Sequence, residues 1–225
     1  GSKPLNLSKA TSYDTDRTSN LKLWLRAGDK VLPEEDASIA RSDFYTDFDG
    51  TDDYVNVADS DDLSFGDGSA DSPFSICAWI NLDDASEDAN IIGKGVYNST
   101  GEWIVRLINA KIYFVLHDES VANAYIGRYY DTALSTGVWY HIACTYDATE
   151  SSSGCKIYLD GIKVDDNNNE NASYTAMENL GADVHIGRYD SEYFEGAISN
   201  VSIYKTLLDA QTIKQFAKSR FTPMR

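Results

Sequence analysis

The 225-residue sequence predicts an all-β fold in which two antiparallel sheets stack as a sandwich, followed by a short C-terminal helix. Short runs of β-branched and aromatic residues alternate with polar residues along most of the chain. Asp, Asn and Gly, which favour turns, separate these runs. Two of the runs, Trp139–Tyr146 and Cys155–Leu159, flank a polar tip in the pattern of a half-buried antiparallel hairpin.

This central hairpin has the clearest pattern in the chain. Within its second strand, Ile157 and Leu159 fall on the face opposite to Lys156 and Tyr158. Such alternation is expected where one face of a strand is buried and the other is not. The Asp-Gly pair at 160–161 predicts a tight turn, after which the strand resumes.

The other predicted elements follow in chain order. Residues 1–20 are polar and show no period, so they are interpreted as a linker or tail. Further strands are predicted at residues 21–25, 44–48, 54–57, 103–108, 112–116 and 125–129. Apolar residues at helical spacing predict a short helix over 207–216. The expected domain therefore spans residues 21–219, with 220–225 as a second linker or tail.

Several of these runs carry a family resemblance. W-Y-H-I-A-C-T-Y-D at 139–147, followed by K-I-Y-L-D-G at 156–161, resembles the centre of laminin-G-like and pentraxin-like domains. F-D-G-T-D-D-Y-V at 48–55, F-S-I-C-A-W-I at 74–80 and I-I-G-K-G at 91–95 resemble earlier segments of the same family, and F-E-G-A-I at 194–198 resembles its close. The resemblance covers about residues 21–216. It implies a jelly roll of the concanavalin A-like lectin/glucanase superfamily.

Charge and cysteine content exclude several classes of protein. Thirty-six acidic residues against 19 basic ones give a net charge of −17, whereas nucleic acid requires a basic surface. No run is long and apolar enough to predict membrane insertion. Three cysteines are too few for a disulfide framework. Buried free thiols are expected at Cys77, Cys144 and Cys155, with a Cys144–Cys155 bridge across the hairpin as the alternative.

Catalytic patterns are missing from the predicted strands. The resemblance associates glucanases with an E-x-D-x-x-E strand, whose paired carboxylates glycoside hydrolysis requires, and no such strand occurs in the sequence. None of the three histidines lies beside a serine in a G-x-S-x-G turn. His117 and the region of Arg128 match only loosely the base and cation of a polysaccharide lyase, and the acidic surface would repel a polyuronate. The sequence therefore predicts a protein that is not an enzyme.

An acidic turn is the candidate metal site. Asp49, Asp52 and Asp53 cluster after a predicted strand, and carboxylate and carbonyl oxygens are the ligands that Ca²⁺ prefers. The resemblance also implies a calcium between the first turn and the last strand, although Ser199 stands where the family has an acid. A second acidic loop at 165–170 does not match an EF-hand loop. Calcium is therefore the candidate cofactor.

Aromatic residues indicate the ligand class. Fifteen Tyr and four Trp are available, and aromatic faces stack on the C–H faces of sugars while polar side chains bind the hydroxyls. The candidate ligand-binding residues, which fall at predicted strand ends or in loops, are Tyr125, Arg128, Tyr129, Tyr130, Arg188, Tyr189 and Tyr193.

The expected function follows from these observations and the resemblance. It is a non-catalytic, lectin-like module of a secreted, cell-surface or virion protein, with a glycan or cell-surface polysaccharide as partner and calcium assisting. Further domains of the same polypeptide are expected partners as well. The alternative is a structural or adhesion domain of a larger assembly, such as a fibre, with no small ligand.

Overall fold

A computed structural model describes residues 5–7, 21–25, 45–86 and 88–218 of the chain. The strands in these ranges are β1 (Leu5–Leu7), β2 (Leu21–Leu25), β3 (Thr46–Asp49), β4 (Val55–Val57), β5 (Phe74–Leu82), β6 (Ala89–Lys94), β7 (Trp103–Ile108), β8 (Lys111–Asp118), β9 (Ala124–Tyr129), β10 (Trp139–Tyr146), β11 (Cys155–Leu159), β12 (Ile162–Lys163), β13 (Asn167–Asn168), β14 (Val184–Ile186), β15 (Arg188–Tyr189), β16 (Glu192–Tyr193) and β17 (Glu195–Tyr204). Short 3-10 turns lie at Asp61–Leu63 and Ser152–Gly154, and helix α1 covers Ala210–Phe216.

The strands form the predicted two-sheet sandwich. The first sheet has the order β1-β4-β14-β6-β7-β8-β9-β13. The second sheet has the order β12-β11-β10-β5-β17-β2, and β3 also pairs with β17. The pairing is antiparallel apart from β1 with β4. Hairpin β15–β16 forms a separate two-stranded sheet, and β17 follows it directly in the sequence. The expectation of an all-β jelly-roll sandwich with a short terminal helix is confirmed.

The core lies between the two sheets and is built by alternation along each strand. In β5, residues 74, 76, 78, 80 and 82 all enter the main hydrophobic cluster. Phe74 stacks on Phe65 with ring centroids 4.1 Å apart, and both rings contact Trp103. The indole N–H of Trp103 donates to the carbonyl of Leu63 at 2.9 Å, so its one polar group is satisfied inside the core.

Helix α1 closes the outer face of the second sheet. Asp209 caps its N-terminus by accepting from the N–H of Thr212 at 2.7 Å. Ile213 is fully buried against Cys77, Ala143 and Tyr158, which lie on strands β5, β10 and β11. The outer face of the first sheet carries a separate hydrophobic cluster, described below.

The central hairpin and its turn match the sequence prediction. Ile157 is buried in the main core, whereas Tyr158 points to the opposite face beneath α1. Asp160 and Gly161 have φ angles of 51° and 78°, the left-handed pair that a tight hairpin turn requires.

The sequence expectation needs correction at the N-terminus. Leu5–Leu7 falls within the predicted tail of residues 1–20, yet it forms a strand parallel to β4. A three-residue segment is too short for periodicity to reveal. The rest of 1–20, residue 44 of the predicted second strand, and the predicted tail at 220–225 lie outside the described residues.

All three cysteines are free and buried. Cys144 lies opposite Ile157 in the hairpin, whereas Cys155 lies opposite Tyr146, so the two thiols are diagonal rather than directly paired. The alternative of a bridge between them is therefore not what the structure shows. Burial raises the pKa of each of the three thiols.

Within the described ranges, no helix has the length and apolarity needed to span a bilayer.

Candidate functional site

The outer face of the first sheet carries a cleft that arises from strand alternation. In β7, Trp103, Val105 and Leu107 enter the main core, so Ile104 and Arg106 point to the other side. Residues directly opposite each other on β8 share that face. The resulting aromatic cleft encloses about 160 Å³ and is lined by Tyr97, Ile104, Arg106, Ile108, Tyr113, Val115, His117, Tyr125, Asn169 and Tyr189.

Two neighbouring tyrosines, Tyr189 and Tyr97, line the aromatic cleft. Tyr189, on hairpin β15–β16, is 9% exposed and packs against Ile104 and Val115. Its hydroxyl accepts a hydrogen bond from the backbone N–H of Tyr97. The hydroxyl of Tyr97 in turn donates to Asn123 Oδ1 at 3.1 Å. Burial raises the pKa of Tyr189 to about 12 and also raises that of Tyr97, so both hydroxyls stay protonated at neutral pH.

Arg106 is held by two carboxylates at the edge of the cleft. Its Nη2 donates to Glu192 Oε2 at 2.8 Å and to Asp88 Oδ2 at 3.2 Å. Its guanidinium also lies 5.7 Å from the ring centroid of Tyr189. The positive charge of Arg106 is therefore compensated by protein groups, and the side chain is fixed against the hairpin.

His117 forms the floor of the cleft without any hydrogen bond to either ring nitrogen among the described residues. The side chain is 6% exposed, and its ring centroid lies 4.8 Å from that of Tyr97 and 6.3 Å from that of Tyr125. Burial, assisted by the charge of Arg106, lowers the pKa of His117 to about 3. The imidazole is therefore neutral at physiological pH.

Three of the predicted ligand-binding residues lie on this face. Tyr125 and Tyr189 line the aromatic cleft itself. Tyr129 lies beside it, stacked on Tyr113 with centroids 5.0 Å apart and an interplanar angle of 8°. Alternation along β9 explains the grouping, since residues 125 and 129 point the same way.

Arg188 and Tyr193 form a second group with Tyr54. The guanidinium of Arg188 lies 4.7 Å from the ring centroid of Tyr54 and 5.7 Å from that of Tyr193. Its Nε donates to the carbonyl of Asp190 at 2.9 Å. Arg188 and Tyr189 are neighbours in β15 and point in opposite directions, so this group and the cleft flank the hairpin on two sides.

The structure does not bring Arg128 or Tyr130 to the cleft. Arg128 lies opposite Phe114 and therefore on the inner side of β9, where it pairs with Asp165 at 3.3 Å. Tyr130 packs against the main core. The loose lyase pairing of His117 with Arg128 is consequently not formed, and the arginine beside His117 is Arg106.

The acidic turn brings its three carboxylates together. Candidate ligand atoms of Asp49, Asp52 and Asp53 all lie within 4.8 Å of one another. Asp49 Oδ1 accepts from the N–H of Thr51 at 2.9 Å and of Asp52 at 3.3 Å, and these bonds lower the pKa of Asp49. Glu195 lies directly opposite Asp49 in the pairing of β3 with β17. This set of carboxylate oxygens fits a hard cation such as Ca²⁺.

The second acidic loop is used differently. Asp165 forms ion pairs with Arg128 and Lys163, and Glu170 accepts a hydrogen bond from Ser152. These carboxylates therefore tie the loop to the neighbouring strands.

Sequence reasoning missed residues at both sites. Arg106 and Tyr113 could have been found from the alternation of β7 and β8, but the partner strands and their register were unknown. Tyr97 lies in a loop, where alternation gives no signal. Glu195 was missed because the resemblance directed attention to Ser199, which pairs with Trp79 further along the strand.

A family model matches most of the chain. The model, a laminin G type described as the concanavalin A-like lectin/glucanases superfamily, matches residues 49–214. The chain therefore belongs to this superfamily. No curated protein matches the chain at a significant level.

Three similar solved structures are binding domains of toxins. The receptor binding domain of botulinum neurotoxin C/D mosaic serotype is 17% identical with a TM-score of 0.57, and the match covers 88% of this chain and 46% of that one. The botulinum neurotoxin serotype D binding domain is 18% identical with a TM-score of 0.57, and the match covers 86% of this chain and 45% of that one. The binding domain of Paraclostridial Mosquitocidal Protein 1 is 14% identical with a TM-score of 0.57, and the match covers 81% of this chain and 45% of that one. At these identities the likeness concerns the fold alone, and the chain spans about half the length of each domain.

Proposed function

We propose that the protein is a non-catalytic carbohydrate-binding domain and that the aromatic cleft receives a sugar ring. The observation that carries this proposal is the cleft itself, which combines four tyrosines with a few polar groups at the outer face of the first sheet. Aromatic faces and sparse, fixed polar groups are the usual means of binding a sugar. A volume of about 160 Å³ corresponds to roughly five water molecules, which suits one ring rather than a long chain.

The charge arrangement supports binding rather than hydrolysis. Glycoside hydrolysis requires two carboxyl groups that face the scissile bond. Among the described residues that line the cleft there is no Asp or Glu. The nearest carboxylates that the contacts identify, Asp88 and Glu192, are directed at the guanidinium of Arg106.

The partner and location are proposed from the same site. The similar structures are binding domains of larger proteins, and this analogy of fold supports an exposed binding module without identifying its ligand. A glycan or cell-surface polysaccharide is the partner that fits the cleft. A secreted, cell-surface or virion protein with further domains would present the cleft to it.

Calcium at the acidic turn is part of the proposal. The turn is connected to the hairpin, because the N–H of Gly50 donates to the carbonyl of Phe194 at 3.2 Å. Tyr54 follows the turn directly and contacts Arg188. A cation held by Asp49, Asp52 and Asp53 would therefore stabilise the segment that carries one wall of the cleft.

A glycan array with matched variants tests the binding proposal. We expect the wild-type protein to bind a defined set of glycans and Tyr125→Ala to lose that binding, since Tyr125 lines the cleft. Tyr45→Ala is the control, because Tyr45 is 43% exposed and contacts Trp139 on the second sheet. If the wild-type protein binds nothing on the array, the structural or adhesion role is favoured instead.

Calcium is tested by melting temperature with and without a chelator. We expect added Ca²⁺ to raise the melting temperature of the wild-type protein and to leave that of Asp52→Asn nearly unchanged. Mg²⁺ serves as the control ion, since it is smaller and dehydrates reluctantly. An equal response of the two proteins to Ca²⁺ would place any bound ion elsewhere.

A further inference from the structure

Three buried nitrogen atoms without hydrogen-bond partners lie at the aromatic cleft, and others lie elsewhere in the described residues. Both ring nitrogens of His117 and the Nε of Arg106 lack hydrogen-bond partners in the part of the chain that the structure describes. Leaving such atoms unpaired costs free energy, roughly 1–3 kcal/mol for each buried group. Buried polar groups are nearly always satisfied in folded proteins, so an orphaned pair at a cleft indicates a role outside the folded chain itself.

The chemistry of His117 defines what could satisfy it. A neutral imidazole offers one N–H donor and one acceptor nitrogen. A sugar hydroxyl also donates and accepts, so it matches the imidazole in both directions. The ring of Tyr97 lies over the imidazole at 4.8 Å and belongs to a loop rather than a strand. Displacement of this ring by a sugar would bring a hydroxyl to the imidazole.

The charges around the cleft argue against an acidic ligand. The guanidinium of Arg106 is already paired with Asp88 and Glu192. The other lining residues are uncharged, and the whole chain has a net charge of −17. A carboxylate or sulfate group entering the cleft would therefore meet no available cation, and the field of the protein would oppose its approach.

We propose that His117 is the hydrogen-bonding residue of the aromatic cleft and that its ligand is an uncharged sugar. This inference rests on the proposed function, which it narrows to a ligand class and a specificity-determining residue. The low pKa of His117 supports it, because the imidazole keeps one donor and one acceptor throughout the physiological range.

Three histidine variants test the assignment. His117→Leu removes both polar atoms, and His117→Gln restores a donor and an acceptor on an uncharged side chain. His141→Leu is the matched control, because His141 is also buried, has an unpartnered Nδ1 among the described residues, and lies in the second sheet. Each variant is measured by melting temperature without ligand and by affinity for neutral glycans and for their sialylated or uronic acid counterparts.

The expected pattern separates binding from folding. His117→Leu should weaken binding of neutral glycans about tenfold or more, whereas its melting temperature should stay level or rise, since an unsatisfied group is removed. His117→Gln should recover part of the affinity, and His141→Leu should bind as the wild type does. Neutral glycans should bind better than their acidic counterparts.

Several results would overturn the inference. A His117→Leu variant that binds normally, or that melts well below His141→Leu, would make the imidazole structural. A preference for acidic glycans that Arg188→Ala abolishes would move the ligand to the other side of the hairpin, while the proposed function would stand. If the wild-type protein binds no glycan of either kind, the proposed function and this inference fail together.

Discussion

Polar groups are buried in two regions of the molecule, the aromatic cleft and a group of charged residues at positions 59, 94 and 102, but they are paired differently in each. Lys94 and Glu102 are almost fully buried, with exposures of 1% and 0%. Lys94 Nζ donates to Asp59 and to the carbonyl of Ala182, and it lies 3.5 Å from Glu102 Oε1. We call Asp59, Lys94 and Glu102 the buried ion cluster. Here Lys94 and Glu102 Oε1 are paired inside the protein, and only Glu102 Oε2 has no hydrogen-bond partner among the described residues, whereas in the cleft neither ring nitrogen of His117 has one.

The difference separates groups that stabilise the fold from the group that we propose to bind a ligand. Glu102 Oε1 also accepts from Ser64 Oγ and from the N–H of Leu180, both at 3.3 Å. The ion cluster thus ties together three loops at one end of the sandwich. The cleft residues have fewer such ties, and a surface that must bind something else is expected to keep hydrogen-bonding capacity in reserve. Four experiments test whether the buried ion cluster and the cleft differ in this way.

The largest effect is expected from Lys94→Met. Removing the cation leaves Glu102 buried without its partner, and breaking a buried ion pair in this way costs about 3–5 kcal/mol. Urea unfolding at pH 8, where Glu102 is mainly ionised in the wild-type protein, measures the loss. Lys111→Met is the control, because Lys111 pairs with Asp131 at the surface, where such pairs contribute about 1 kcal/mol or less. Equal losses in the two variants would contradict a special role for the buried ion cluster.

The next effect is a pH dependence that Glu102→Gln should remove. Burial, opposed by Lys94, raises the pKa of Glu102 from 4.5 to about 7. The folded state therefore favours the protonated form, so this contribution to stability is complete below the unfolded pKa and is lost as pH rises through about 7. Relative to Glu102→Gln, the wild type should lose roughly 2–3 kcal/mol between about pH 5 and pH 8. A constant difference in the free energy of unfolding across this range would refute the raised pKa.

His117→Leu should show the opposite dependence on pH. Because the pKa of His117 is lowered from 6.5 to about 3, the neutral form is favoured in the folded state. The stability that this provides is present above 6.5 and is lost as pH falls. Relative to the variant, the wild type should lose roughly 2 kcal/mol between pH 6.5 and about pH 5. Guanidinium unfolding at several pH values checks the slope, and a slope of the other sign would show that the imidazole is charged in the fold.

The smallest effect is expected from Tyr97→Phe. The variant loses only the hydrogen bond to Asn123 at the rim of the cleft, so the free energy of unfolding should fall by less than about 1 kcal/mol. Thermal unfolding measures this difference. A large loss would mean that the Tyr97 wall is as firmly fixed as the buried ion cluster, which the comparison does not predict.

Local patterns were sufficient to predict much of the fold. Strands such as Trp103–Ile108 and Cys155–Leu159 begin and end where alternation begins and ends. Strands β1, β13 and β16 escaped prediction, because two or three residues contain no period. The pairing of β1 and β13 depends on partners that lie far away in sequence, β4 and β9 respectively.

The sequence predicted the kind of site, an aromatic surface, but only some of the residues that form it. Tyr125 and Tyr189 were selected as tyrosines near strand ends, and both reach the cleft. Arg128 was selected by the same reasoning, but its place on β9 directs it to the inner side. Local sequence cannot distinguish the two cases, because the face of a strand that is covered depends on the other sheet. The acidic turn was easier to predict, since its three carboxylates lie within five residues of the sequence.

The three buried thiols give this protein a built-in probe of its own motions. A buried thiol with a raised pKa resists alkylation. A labelling reagent therefore reacts with it only when the protein opens. Cys144 and Cys155 lie between the sheets, whereas Cys77 lies under helix α1. Reaction at Cys77 ahead of the other two would therefore reveal detachment of the helix from an intact sandwich, and simultaneous reaction at all three would show that the helix and the sandwich open as one unit.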